Sequence, residues 1–148
     1  MNKHIMKRLA VVMVPVLSMG LYSVVAAAEE IVVVVNPKNP TATITTDQVE
    51  QVFLGKATSL PGGGAANPID QSDGSSLRDD FYQKATGKSS SQVKAVWSRL
   101  VFSGKGTPPK VLASSGDVKK LVASDLSAIG YIEKSAVDGT VKVVLSLP

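Results

Sequence analysis

The sequence has 148 residues, a formal net charge of +4, no cysteine, and a single histidine, His4. These counts exclude a disulfide framework and any site built on thiolates. From residue 29 onward there is no imidazole either, so Ser-His-Asp and Cys-His nucleophile systems and His-bearing zinc sites are impossible there. We therefore expect neither an enzyme nor a metal or cofactor site.

The N-terminal stretch has the pattern of a secretory signal peptide. Basic residues within the first eight positions precede an apolar run, 9–25, and an Ala-Ala-Ala site ends at Ala28. We predict a signal peptide at 1–28 and a mature domain at 29–148. A retained membrane anchor is the alternative, because the apolar run is close to spanning length. The alanine site and the two glutamates after it favour cleavage, a periplasmic location and no stable membrane insertion.

Removal of this segment lowers the net charge. Three of the sixteen basic residues lie in it, whereas all twelve acidic residues follow it, so thirteen against twelve leave a net charge of +1. A charge this small gives no case for nucleic acid or an anionic membrane as a partner. The remaining chain, 29–148, is long enough for one small domain with a buried core.

Strands and helices are predicted to alternate from residue 29 onward. The β-branched run Ile31–Val35 has no polar alternation, which is typical of a strand covered on both faces. A capping box of Thr45 with Gln48 begins a helix that should end near Leu54. A glycine-rich loop follows at 56–66. The apolar spacing of this helix predicts a core face of Val49, Val52 and Phe53.

The second half of the chain continues this alternation. An amphipathic helix should begin among Ser89–Ser91, and a loop should follow it from Phe102 to Lys110. Ser114 is expected to cap a short helix, and strands are expected at 128–132 and 141–145. The order of elements predicts an α/β domain. The predicted apolar stripe of the amphipathic helix consists of Val93, Val96, Trp97, Leu100 and Val101.

The stretch 67–81, NPIDQSDGSSLRDDF, is the candidate site. A short strand there leads through a turn into a helix, whose first N–H groups lack intrahelical partners and carry the positive end of the helix dipole. The small residues of the turn let a ligand oxygen approach the backbone. An ordinary helix cap without a ligand is the alternative. The turn consists of Ser72, Asp73, Gly74, Ser75 and Ser76.

Four segments in order resemble the periplasmic phosphate-binding proteins of ABC transporters. They are VFLGK at 52–56, the stretch at 67–81, LVFSGKG at 100–106 and AIGYIEK at 128–134. The resemblance extends loosely over 31–145. It implies a single periplasmic-binding-protein-like α/β lobe, with a mixed sheet flanked by helices and with the first and last strands in the same sheet. Two-lobed members of the family are about twice as long.

In those two-lobed members, the matching segment binds phosphate through a strand-end arginine, an aspartate, and a Ser-Gly-Thr at a helix N-terminus. By this resemblance Asp73 corresponds to the aspartate and Ser75 to the serine. Ser76 and Leu77 stand where glycine and threonine are usual. Gln71 occupies the place of the arginine, which is a departure from the family pattern.

The resemblance implies inorganic phosphate or a similar oxyanion as the ligand, and an ABC transporter permease or another envelope protein as a partner. Arg78 could replace the missing arginine, or could instead pair with Asp79 or a neighbouring helix carboxylate. The departures also suggest an alternative function, a one-lobe interaction module of the cell envelope that no longer binds phosphate. The implied ligand-binding residues are Gln71, Asp73, Gly74, Ser75, Ser76 and Arg78, with Asp73 accepting the proton of the ligand.

Overall fold

The computed structural model describes residues 29–148, and the predicted signal peptide lies outside the described residues. Residues 29–148 contain no helix with the length and apolar character of a membrane span. The strands are β1 (Ile31–Val35), β2 (Asn67–Gln71), β3 (Lys110–Leu112), β4 (Ala128–Glu133) and β5 (Lys142–Leu147). The helices are α1 (Thr46–Phe53), α2 (Ser76–Thr86), α3 (Ser90–Phe102) and α4 (Ser115–Ser124), with a short 3-10 helix at Lys134–Ala136.

The five strands form one mixed sheet in the order β3-β2-β4-β1-β5. Strand β2 runs parallel to β3 and to β4, whereas β1 runs antiparallel to β4 and to β5. All five residues of β1 are buried, as expected for a strand covered on both faces. The predicted α/β lobe with a mixed sheet flanked by helices is therefore confirmed, including the placement of the first and last strands in the same sheet.

The alternation of side chains along the strands divides the core into two halves. Odd-numbered residues of β1 pack with α1, α2 and α3, and even-numbered residues pack with α4. On β4, Tyr131 belongs to the first half and Ile132 to the second. On β2, Ile69 faces α4, so the next side chain, Asp70, faces α2. This alternation places a carboxylate inside the core beside α2.

The predicted helix starts are confirmed. Each helix begins at a residue whose side chain caps it. Thr45 and Gln48 form the predicted capping box of α1. The side chains of Ser75, Ser89 and Ser114 cap α2, α3 and α4. The three predicted core residues of α1 are also buried. Such caps satisfy the free N–H groups at a helix start and so fix its position.

Two predictions about α3 and the loop after it are wrong, and the short strand β3 was not predicted. Helix α3 extends through Phe102, which was expected to begin a loop. Lys110–Leu112 is a strand, too short to show any periodicity in the sequence. Val93 and Trp97 of the predicted stripe are buried, but Val101 is half exposed. The apolar face of α3 is thus longer than the core that it covers, and its C-terminal end lies at the surface.

Gly130 on β4 lies against α4 with no room for a side chain. A Cβ at this position would approach Cγ1 of Val118 to 2.6 Å. We expect Gly130→Ala to lower the free energy of unfolding by about 1–3 kcal/mol, because a packed core has to shift to admit the methyl group. Urea unfolding followed by circular dichroism measures this change.

Gly139→Ala is the matched control, because an added Cβ there meets no atom within 4 Å. It should change the free energy of unfolding by less than about 0.5 kcal/mol. Equal stabilities of the two variants would contradict the close contact between β4 and α4.

Candidate functional site

Asp70 is a buried carboxylate near the carboxyl end of β2, with 4% of its surface exposed. Its Oδ1 accepts hydrogen bonds from the hydroxyl of Tyr131 and from the backbone N–H of Gln71 at 2.8 Å. Its Oδ2 accepts from the hydroxyl of Tyr82 at 2.8 Å and from Nε of Arg78 at 3.3 Å. Four donors therefore compensate the cost of removing this charge from water.

An aromatic cluster packs around this carboxylate and holds its donors in place. Phe81 stacks on the ring of Tyr131, with centroids 3.8 Å apart and planes inclined by 6°. Phe53 of α1 meets both rings edge-on. The guanidinium carbon of Arg78 lies 4.9 Å from the centroid of the Tyr82 ring. Aromatic and cation–π packing thus fixes the positions of the side chains that donate to the carboxylate.

Burial raises the pKa of Tyr82 and of Tyr131 well above that of a free phenol. The adjacent Asp70 carboxylate raises the pKa of each further, because a phenolate beside it would add a second negative charge. Both hydroxyls therefore stay protonated and remain hydrogen-bond donors to Asp70.

Arg78 connects this buried centre to the turn before α2. Only 8% of its side chain is exposed. Its Nη1 donates to Oγ of Ser90 at 2.8 Å and lies 3.6 Å from the carboxylate of Asp73. Lys94 of α3 pairs with the other oxygen of Asp73. The hydrogen bond from Lys94 is the main cause that lowers the pKa of Asp73, so this exposed carboxylate is ionised at neutral pH.

Most of the predicted site residues come together where β2 ends and α2 begins. Ser75 caps α2, and its Oγ accepts the N–H of Arg78 at 3.4 Å. Gly74 has φ 86°, a left-handed conformation that glycine adopts without steric cost. Within residues 29–148, the N–H groups of Ser76 and Leu77 make no hydrogen bond. The start of α2 therefore has two backbone donors without a partner among the described residues.

The side chain of Gln71, unlike those of the other predicted site residues, bonds to β4 and to α4. It is 4% exposed, and its Nε2 donates to the carbonyl of Tyr131 at 3.0 Å and to Oγ of Ser115 at 3.1 Å. These bonds tie β2 to β4 and to the first turn of α4. The amide nitrogen of Gln71 is thus already engaged within the fold.

The predicted alternative partner of Arg78 is wrong. Arg78 pairs with Asp70 of β2 and with Asp73 of the turn, whereas Asp79 accepts a hydrogen bond from Ser90. Sequence reasoning overlooked Asp70, although a signal was present. Aspartate is depleted in strands, so an aspartate directly after the apolar Ile69 indicates a buried carboxylate that needs partners.

Several solved structures are similar to this chain. One is a Clostridium perfringens protein, assigned as a phosphate ABC transporter substrate-binding protein and solved with bound phosphate. It is 27% identical to this chain, with a TM-score of 0.65, and the match covers 78% of this chain and 44% of the Clostridium protein. An ABC-type phosphate transport receptor from Vibrio cholerae is 22% identical with a TM-score of 0.63, over 78% and 45%. PstS from Borrelia burgdorferi is 14% identical with a TM-score of 0.60, over 78% and 46%. No protein-family model and no curated protein matches the sequence.

These likenesses define the class of the fold as a periplasmic-binding-protein-like α/β lobe. Within that class, the chain is structurally similar to substrate-binding proteins of phosphate ABC transporters, and the resemblance predicted from the sequence is confirmed. The chain spans less than half the length of the solved structures that it matches.

The burial of both tyrosines predicts an unusual alkaline titration. In a Tyr22→Phe background, Tyr82 and Tyr131 are the only tyrosines in the chain. Phenolate absorbance should not rise near pH 10, where a free phenol ionises. The unfolded state does release phenol protons there, so it binds fewer protons than the folded state, and the free energy of unfolding falls as the pH rises above about 10.

Absorbance in the near ultraviolet, recorded together with circular dichroism, separates ionisation from unfolding. The same protein in concentrated guanidinium chloride is the control, and both tyrosines should ionise there near pH 10. A phenolate signal near that pH from the folded protein would contradict the buried Asp70 centre.

Proposed function

We propose that the protein binds inorganic phosphate or a similar oxyanion at the N-terminus of α2, as a secreted substrate-binding protein of the phosphate ABC transporter type. This proposal rests mainly on the position of Arg78 in the first turn of α2. Its guanidinium, anchored by Asp70, lies next to the turn at which the N–H groups of Ser76 and Leu77 have no hydrogen-bond partner within residues 29–148.

These groups match the chemistry of an oxyanion. The free N–H groups and the helix dipole favour a negative charge at the start of α2. The hydroxyls of Ser75 and Ser76 add hydrogen bonds, and Gly74 leaves room for an oxygen to approach the backbone. Because Arg78 is buried, its charge is screened less by salt than that of an exposed arginine.

Asp73 is the proposed basis of selectivity. Its lowered pKa keeps a carboxylate at the turn, and this carboxylate can accept a hydrogen bond from the P–O–H group of monohydrogen phosphate. Sulfate has no proton to donate at neutral pH, so the same carboxylate repels it. The site should therefore prefer a protonated oxyanion.

The comparisons and the N-terminal pattern support the wider role. The similar Clostridium perfringens structure contains bound phosphate, and the Vibrio cholerae protein is a phosphate transport receptor. The predicted signal peptide supports a periplasmic location. On the basis of the same structural similarity, we also propose that a permease of an ABC transporter is a partner of this protein.

A second candidate function is an interaction module of the cell envelope that binds no phosphate. The position of Gln71 favours it, because Gln71 stands where the family has arginine and its amide is engaged with Tyr131 and Ser115. A monomeric protein that captures no partner in a periplasmic pull-down would count against this module.

Ser75→Ala tests the proposed anion site. We expect it to weaken phosphate binding by about 1.5–3 kcal/mol, the range for a hydrogen bond to a charged group. This is roughly a 10- to 150-fold rise in Kd. Isothermal titration calorimetry with phosphate measures the change, with sulfate as the control ligand.

Ser114→Ala is the matched control variant, because Ser114 caps α4 through the same type of bond, to the N–H of Asp117 at 3.2 Å. Loss of either cap should lower stability by about 0.5–2 kcal/mol. Only Ser75→Ala should lower phosphate affinity. Unchanged phosphate affinity in Ser75→Ala would mean that the site lies elsewhere. Equal losses of phosphate affinity in Ser75→Ala and Ser114→Ala would mean that the effect comes from reduced stability.

A further inference from the structure

A cleft of about 500 Å³ lies between α3 and the segment that leads into β3. A volume of this size is typical of small-molecule sites in proteins. Charged side chains of Asp70, Arg78 and Lys94 also line the cleft. Its apolar wall consists of Trp97, Val101, Phe102, Pro108, Pro109 and Val111.

Exposed apolar side chains are concentrated around this cleft. Phe102 is 95% exposed, Val111 56% and Val101 50%. Among residues 29–148, five large hydrophobic side chains are exposed, and only Leu126 and Val143 lie away from the cleft. Exposed apolar surface beside a concave site marks a place where a ligand or partner can be bound.

Arg78 brings a hydrogen-bond donor into this apolar surface. Asp70 holds its Nε and Ser90 holds its Nη1, while Nη2 makes no hydrogen bond within residues 29–148. Asp70 is occupied by its four donors and does not serve as a further acceptor. The exposed ammonium group of Lys94, which pairs with Asp73, lies at the same cleft and has three N–H donors. Free donors on two cationic side chains, one on Arg78 and those on Lys94 beyond its bond to Asp73, thus border an apolar wall, which complements an anionic group attached to a hydrocarbon.

We propose that the cleft binds the apolar substituent of an amphipathic anion of the phosphate monoester or phosphonate class. The anionic group accepts hydrogen bonds from Nη2 of Arg78 and from Lys94, and the hydrocarbon part packs on Trp97 and Phe102. This inference rests on the proposed function, because it shares Arg78 with the oxyanion site. It extends the ligand class from inorganic phosphate to its alkyl or aryl derivatives.

Trp97 provides the readout, because it is the only tryptophan in the chain and lines the cleft. The purified protein is titrated with n-hexyl phosphate, inorganic phosphate and n-hexanol, followed by calorimetry and by tryptophan fluorescence. We expect hexyl phosphate to bind at least tenfold more tightly than either of the other probes and to change the emission of Trp97.

The double variant Phe102→Ser/Val111→Ser removes apolar side chains from the wall of the cleft. It leaves the hydrophobic core intact, because both side chains are exposed. It should abolish the tenfold advantage of hexyl phosphate and leave the affinity for inorganic phosphate unchanged. Leu126→Ser is the matched control, because Leu126 is 53% exposed, close to the 56% of Val111, but does not line the cleft. It should leave the affinities for all three probes unchanged.

The outcomes separate this inference from the proposed function. Equal affinities for hexyl phosphate and inorganic phosphate would overturn the cleft site and leave the oxyanion site standing. Tight binding of hexyl phosphate without binding of inorganic phosphate would support the cleft and count against the proposed function. Equal affinities for hexanol and hexyl phosphate would overturn the anionic ligand class. Self-association in sedimentation equilibrium that the double variant abolishes would show a second copy in the cleft and overturn the proposal.

Discussion

The buried carboxylate of Asp70 is the interaction on which the arrangement of the site depends. Its four donors come from the backbone of β2, from Arg78 and Tyr82 on α2, and from Tyr131 on β4. Loss of a partner from a buried ion pair costs about 3–5 kcal/mol, because the remaining charge is left uncompensated. The two strands and the start of α2 are therefore held in one relative orientation.

The packing around Asp70 also explains how the fold uses Gln71, which differs from the arginine expected at this position from the resemblance. By the resemblance to phosphate-binding proteins, Gln71 stands in the place of an arginine, and its side chain joins β2, β4 and α4. Under the proposed function, Arg78 supplies the positive charge from the first turn of α2, while Asp70 and Ser90 hold two of its three guanidinium nitrogens. A cation held in this way loses little conformational entropy when it binds a ligand, which favours affinity in an open site.

The parts of the fold that the sequence predicted correctly are those encoded locally. The β-branched run of β1 and the capping box of Thr45 and Gln48 each lie within a few residues, and both are confirmed. Strand β3 depends on pairing with a distant strand over only three residues, so no periodicity revealed it. The Asp70 centre was missed because Tyr131, one of its donors, lies 61 residues away along the chain. Helical periodicity likewise predicted the apolar face of α3 but not where the core beneath it ends.

Binding of an oxyanion between the start of α2 and Arg78 can be tested by an NMR titration with phosphate. Backbone amide signals and arginine side-chain N–H signals are followed together in the folded protein. We predict that the signals of the Ser76 and Leu77 amides and of the Arg78 side chain shift with one common Kd, while those of the Ser115 and Gly116 amides at the start of α4 do not. An unchanged α2 N-terminus at saturating phosphate, or shifts centred on α4, would contradict it.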